Sequence, residues 1–245
     1  MESRKSENEC IRLKCKLSHP KNAEIPNEDS YQCSERLNVY ALCDGASISY
    51  DSASWSKILA RRFCQDQILN KAWLLDCIKA FNLKHDRDSL PWAKQAAFDK
   101  GSFSSLLGIV IEPESCEVRL TAVGDTMAFL CDGNRLVWSF PYETPEQFDD
   151  SPTLLSSNLA LNDVHKEGRI VCEQKTCCLS DLKSPLLLCM TDALGKWLLE
   201  TKDNQPNPID LLRAVCKPKA FREFILAERS SGRLRKDDST MLAFW

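Results

Sequence analysis

The chain has 245 residues, 43% hydrophobic and 27% charged, with 32 Lys plus Arg against 35 Asp plus Glu and a formal net charge of -3. That size and composition predict one packed domain over residues 1–245, and the slightly acidic balance leaves no surplus of positive charge for a nucleic-acid backbone. No apolar run approaches the ~20 residues needed to span a bilayer, and the charged first nine residues lack the apolar stretch of an export signal. The expectation is a soluble, cytoplasmic monomer with neither a nucleic-acid nor a membrane partner.

In chain order, short apolar or alternating runs predict strands at 11–17 and 37–43. Helices follow at 52–69, where Trp55, Ile58, Leu59, Arg62 and Phe63 recur near a 3.6 spacing, and at 73–81 and 90–98. A meander of strands is expected at 103–111, 117–123, 127–131 and 135–138, with the tight turn Asp132-Gly133-Asn134 implying antiparallel pairing. The polar, Pro-containing segment 141–161 reads as a flap over one end of the sheets. Strands at 169–176 and 186–190, helices at 194–200, 208–215 and 220–228, and a last strand at 240–245 complete an α+β pattern.

Thirteen cysteines with no Cys-x-x-Cys, beside only three histidines, argue for reduced packing residues rather than a disulfide framework or a zinc site. Trp55, Phe63, Trp73 and Trp197 fall on apolar helix faces and are expected in the core.

The chemistry-bearing signal is a set of acids at strand ends. Asn27-Glu28-Asp29 precedes the strand at 37–43, Asp44-Gly45 ends it, Asp192 ends the run at 186–191, and Asp237-Asp238 opens the last strand. A carboxylate at the end of a buried strand is held rigidly while it points into a rim. Converging carboxylates repel unless a cation neutralises them, and oxygen ligands suit hard ions, Mg2+ or Mn2+. Ordinary turn chemistry is the alternative for each acid taken alone.

The words around these acids resemble a known family, the PP2C-type metal-dependent protein phosphatases, in its compact bacterial form. They are Asn27-Glu28-Asp29-Ser30, Ala41-Leu42-Cys43-Asp44-Gly45, Ala122-Val123-Gly124-Asp125-Thr126, Cys189-Met190-Thr191-Asp192-Ala193 and Asp237-Asp238-Ser239-Thr240, in the family order. The resemblance implies a four-layer αββα sandwich of two mainly antiparallel sheets flanked by helices. It also implies a two-metal centre (Mn2+ or Mg2+) that activates water to hydrolyse phosphoserine or phosphothreonine in a phosphorylated protein. On the matching positions, Asp44 would bridge the ions, Gly45 would lend its carbonyl, and Asp192 and Asp237 would complete one shell. Glu28 would act through water with Asp29 behind it, and Asp125 would serve a third ion.

Some positions depart from the family pattern. Glu24 stands where an Arg usually grips phosphate, Ala46 where a His is common, and Lys196 where the partner acid for a third ion is found. Lys196 and Arg235 are the candidate phosphate ligands in this chain. Three readings follow: an active phosphatase, a phosphatase-like domain that binds a phosphoprotein or partner without turnover, and an unrelated α+β domain.

Overall fold

A computed structural model describes residues 10–148 and 152–245. The strands are β1 (Leu13–His19), β2 (Ser30–Ser34), β3 (Val39–Cys43), β4 (Phe103–Ser104), β5 (Leu106–Glu112), β6 (Glu117–Val123), β7 (Met127–Asp132), β8 (Arg135–Phe140), β9 (Leu155–Ser156), β10 (Glu173–Cys178), β11 (Pro185–Met190) and β12 (Ser239–Phe244). The helices are α1 (Ser52–Gln65), α2 (Lys71–Asn82), α3 (Trp92–Lys100), α4 (Asp192–Thr201), α5 (Pro208–Ala214) and α6 (Pro218–Ser230). Two five-stranded sheets, in the orders β1-β12-β11-β7-β8 and β10-β6-β5-β3-β2, pair antiparallel throughout.

Alternation along the central strands builds the layers. Tyr40 and Leu42 of β3, Leu187 and Cys189 of β11, and Leu242 and Phe244 of β12 meet in the core between the sheets. Their neighbours point outward: Val39, Ala41 and Cys43 onto α1 and α2, and Leu186, Leu188 and Met190 onto α4 to α6. Because helices cover the outer faces, these strands are buried on both sides and read as continuous apolar runs rather than alternating ones. The result is the expected αββα sandwich.

Local chemistry explains where the helices begin and pack. Asp51 caps α1 by accepting from Ser54 N at 3.0 Å. That helix ends at Gln65, short of the expected 69, because Asp66 turns to extended backbone, and Asn70 then caps α2 by accepting from Trp73 N at 2.9 Å. The Phe63 ring lies directly on β5 at Gly108, where a Cβ would come within 2.0 Å of the ring. Trp55, Phe63, Trp73 and Trp197 are all in the core, as expected.

Other elements differ from the sequence reading. β2 was not expected, since Ser-Tyr-Gln-Cys-Ser carries too little apolar character; its pairing with β3 supplies the order that composition does not. The strand expected at 169–176 forms as β10, Glu173–Cys178. The flap segment 141–161 is tied down more than its polarity suggests. β9 pairs with β4, and Leu155 is buried with its carbonyl accepting from Trp55 Nε1 at 2.8 Å; residues 149–151 lie outside the described residues.

All thirteen cysteines are free thiols, and Cys15, Cys43, Cys64, Cys77, Cys131 and Cys189 are buried. Among the described residues, no helix is long and apolar enough to cross a membrane.

Candidate active site

Antiparallel register gathers the acids at one end of the sandwich. Pairing of Met190 with Met241 sets the end of β11 beside the start of β12, so Asp192 and Asp237 become neighbours. Pairing of Ser30 with Cys43 does the same for Asp29 and Asp44 in the other sheet. Asp29 then staples the two sheets together. Its Oδ2 accepts from Thr191 Oγ1 at 3.0 Å and Thr240 Oγ1 at 2.7 Å, while its buried Oδ1 has no hydrogen-bond partner.

Asp44, Asp125, Asp192 and Asp237 line a cleft of about 420 Å³, with Arg235 and the loop Gly45-Ala46-Ser47-Ile48 on its walls. The backbone of Asp44 is fixed by Ser105, whose Oγ accepts from Asp44 N at 3.1 Å and whose N–H donates to Asp44 O at 2.8 Å. Gly45 is required by packing, since a Cβ there would stand 2.8 Å from both Glu28 O and Ser52 Cβ. Asp192 opens α4, where the helix dipole favours a negative charge.

Electrostatics in this cleft are strained. Burial, and then the neighbouring carboxylates of Asp192 and Asp29, push the Asp44 carboxyl well above the usual range. Asp29 is raised likewise by burial, which outweighs its threonine hydroxyls. Asp192 is raised by burial and by Asp237, against the opposing pull of Arg235. Asp44 stands close enough to Asp192 for the two carboxylates to repel each other. No donor reaches the buried Asp192 Oδ1.

Two cations of the chain itself already stand among these acids. Arg235 Nη2 bonds both Asp192 Oδ2 and Asp237 Oδ2, the latter at 2.9 Å. Lys21 Nζ pairs with Glu28 Oε2, which also accepts from Ser47 Oγ at 2.7 Å, while Glu28 Oε1 accepts from Ser52 Oγ. Burial would raise the Glu28 carboxyl, but Lys21 and the two hydroxyls outweigh it and hold it below the ordinary value.

The sequence alone assigns no role to Lys21, Ser47, Ser52 or Asp238. The Asp238 carboxylate accepts from Lys21 N at 2.6 Å and Glu28 N at 2.7 Å, and so clamps the Glu28 loop to β12. Arg229 of α6 completes that clamp through Pro20 O and Asp237 O.

Carboxylates with a backbone carbonyl suit a hard divalent cation, and the orphaned Asp192 Oδ1 is an acceptor that such an ion would satisfy. Among the described residues, however, no three His, Cys, Asp or Glu side chains stand gathered as ready ligands. Asp192 and Asp237 are turned to Arg235, and Glu28 to Lys21. Lys196 lies apart from this cleft, in an adjoining pocket of about 260 Å³ bordered by Asp125, Asp192, Arg233 and Arg235. Glu24 is exposed and lines neither cavity.

No family model matches the chain, and no curated protein matches it. Solved structures do match. The serine/threonine phosphatase PstP/Ppp of Mycobacterium tuberculosis superposes with a TM-score of 0.59 at 15% identity, covering 96% of this chain and 97% of that one. Serine/threonine phosphatase Stp1 of Staphylococcus aureus gives 0.59 at 17% identity, covering 100% and 98%. The photosystem II phosphatase PBCP gives 0.55 at 15% identity, covering 96% and 98%. An unrelated α+β architecture is thereby set aside: the described residues have the fold of the PP2C-type serine/threonine phosphatases.

Proposed function

We propose that the chain is a divalent-cation-dependent phosphatase acting on phosphoserine or phosphothreonine in a protein substrate. One observation carries this reading. The half-buried carboxylates of Asp44 and Asp192 converge with Asp237 at the strand ends of a fold shared with serine/threonine phosphatases, and Asp192 Oδ1 lacks a donor.

In this reading Asp44, the Gly45 carbonyl, Asp192 and Asp237 hold Mn2+ or Mg2+. Glu28 contributes through water, Asp29 supports from behind, and Asp125 is the candidate for a further ion. Bound cations of this kind lower the pKa of a water and offset charge on a transferring phosphoryl group. The protein's own part is positional. Asp29 fixes Thr191 and Thr240, Ser105 fixes Asp44, and Asp238 fixes the Glu28 loop, so the acids keep their places without a substrate. Lys196, on the rim of the adjoining pocket, is the phosphate ligand we favour in place of the Arg that Glu24 replaces.

A second reading is a phosphatase-like domain that binds a phosphoprotein without turnover. The pairing of Arg235 and Lys21 with the acids favours it, since part of the charge is already neutralised. Hydrolysis of p-nitrophenyl phosphate with and without Mn2+ separates the two. The phosphatase reading expects Mn2+-dependent turnover that Asp44→Asn abolishes. Turnover no higher than in the metal-free control would leave the binding reading standing.

A further inference from the structure

Arg235 lies in the turn between α6 and β12, two residues before Asp237, whose N–H donates to the Arg235 carbonyl at 3.0 Å. Its backbone is therefore anchored, while its side chain is 59% exposed and reaches back over the acid cluster. There a single nitrogen, Nη2, serves both Asp192 Oδ2 and Asp237 Oδ2. Asp192 is only 15% exposed, and its second oxygen remains without a donor. One positive charge thus faces Asp44, Asp192 and Asp237 together, and an acceptor is left over. Arg235 also lines both the acid cleft and the pocket beside Lys196.

We propose that Arg235 is a resident counter-cation of the acid cluster, seated between Asp192 and Asp237, and that a divalent ion enters only by displacing it. The proposal rests on the divalent-cation reading of these acids. Its logic is ion exchange. A guanidinium offers one charge spread over a planar fork, whereas Mn2+ offers two charges at a point and accepts several oxygens, the orphaned Asp192 Oδ1 among them. Exchange is favourable, but breaking the two Arg235 contacts lowers the apparent affinity. Displaced, the same guanidinium stays tethered at the rim of the Lys196 pocket, where a phosphate ester would meet it.

The test is calorimetric titration of Mn2+ into the full chain, into Arg235→Gln, and into Asp44→Asn as a control. Arg235→Gln should bind Mn2+ at least tenfold more tightly than the unaltered chain, and Mn2+ should raise its melting temperature further. Arg235→Lys keeps the charge and loses the fork, and should fall between the two, which preserves the test if the Gln variant folds poorly. Equal or weaker binding by both variants, with Asp44-dependent binding in the unaltered chain, overturns the counter-cation and leaves the cation reading intact. Absence of Mn2+ binding in every form at millimolar concentration overturns both.

Discussion

The two halves of the acid cluster are neutralised in different ways. On the Glu28 side the network is closed. Lys21 and Glu28 are 18% and 14% exposed, both Glu28 oxygens have donors, and the backbone N–H groups of both residues are held by Asp238. On the Asp192 side it is open. Arg235 and Asp237 are 59% and 32% exposed, and an oxygen of Asp192 is left without a donor. A largely buried pair is weakly screened and costly to break, whereas a guanidinium near solvent is screened and exchangeable. The Glu28 side is therefore the firmly held half, and under the proposed function the Asp192 side is the half that would exchange its counter-ion.

Asp44→Asn should produce the largest effect. Removing the central charge should cut Mn2+-dependent turnover by at least ~100-fold. The ion-free protein should become more stable at neutral pH. The raised Asp44 carboxyl favours its protonated form in the fold, so folding gains stability as pH falls, and the neutral amide supplies that gain at pH 7. A rise in melting temperature of roughly 2–4 °C for each kcal/mol regained is the expected reading.

Lys21→Met comes next and asks whether the closed half is structural. It strips the ion pair from a mostly buried Glu28 and should cost about 2–3 kcal/mol in urea unfolding. The acid side of the stability profile should change too. Glu28 is held below its ordinary value in the fold, so its contribution is present above about pH 4.5 and is lost as pH falls further. In Lys21→Met that acid loss should be shallower. A variant of unchanged stability would erase the difference between the two halves.

The smallest effect is expected for Asp238→Asn. One amide oxygen cannot replace two carboxylate oxygens that accept from Lys21 N and Glu28 N, and the amide NH2 faces one of those donors. A loss of about 1–2 kcal/mol follows, measurable by the same unfolding series. No loss would mean that Arg229 alone holds the loop.

The layers were legible because β3 and β11 are continuous apolar runs that end at acids and β12 is one that acids precede, and the resemblance in their words pointed to the αββα sandwich and to Asp44, Asp192 and Asp237. β2 was not legible, since a polar five-residue strand is defined by its partner. Arg235 was read as a phosphate ligand from its charge beside Asp237. Its pairing with Asp192, 43 residues away, is set by how the α6–β12 turn folds over the start of α4, which no local pattern carries. Lys21 and Asp238 escaped for the same reason, with their contacts made across 7, 210 and 217 residues.

The most direct measurement is anomalous difference density from a crystal of the full chain soaked in Mn2+. The account predicts a peak bound by Asp44, Asp192 and Asp237, with the Arg235 guanidinium turned away from both of its present partners. No peak at saturating Mn2+, with Arg235 still seated on Asp192 and Asp237, would contradict it.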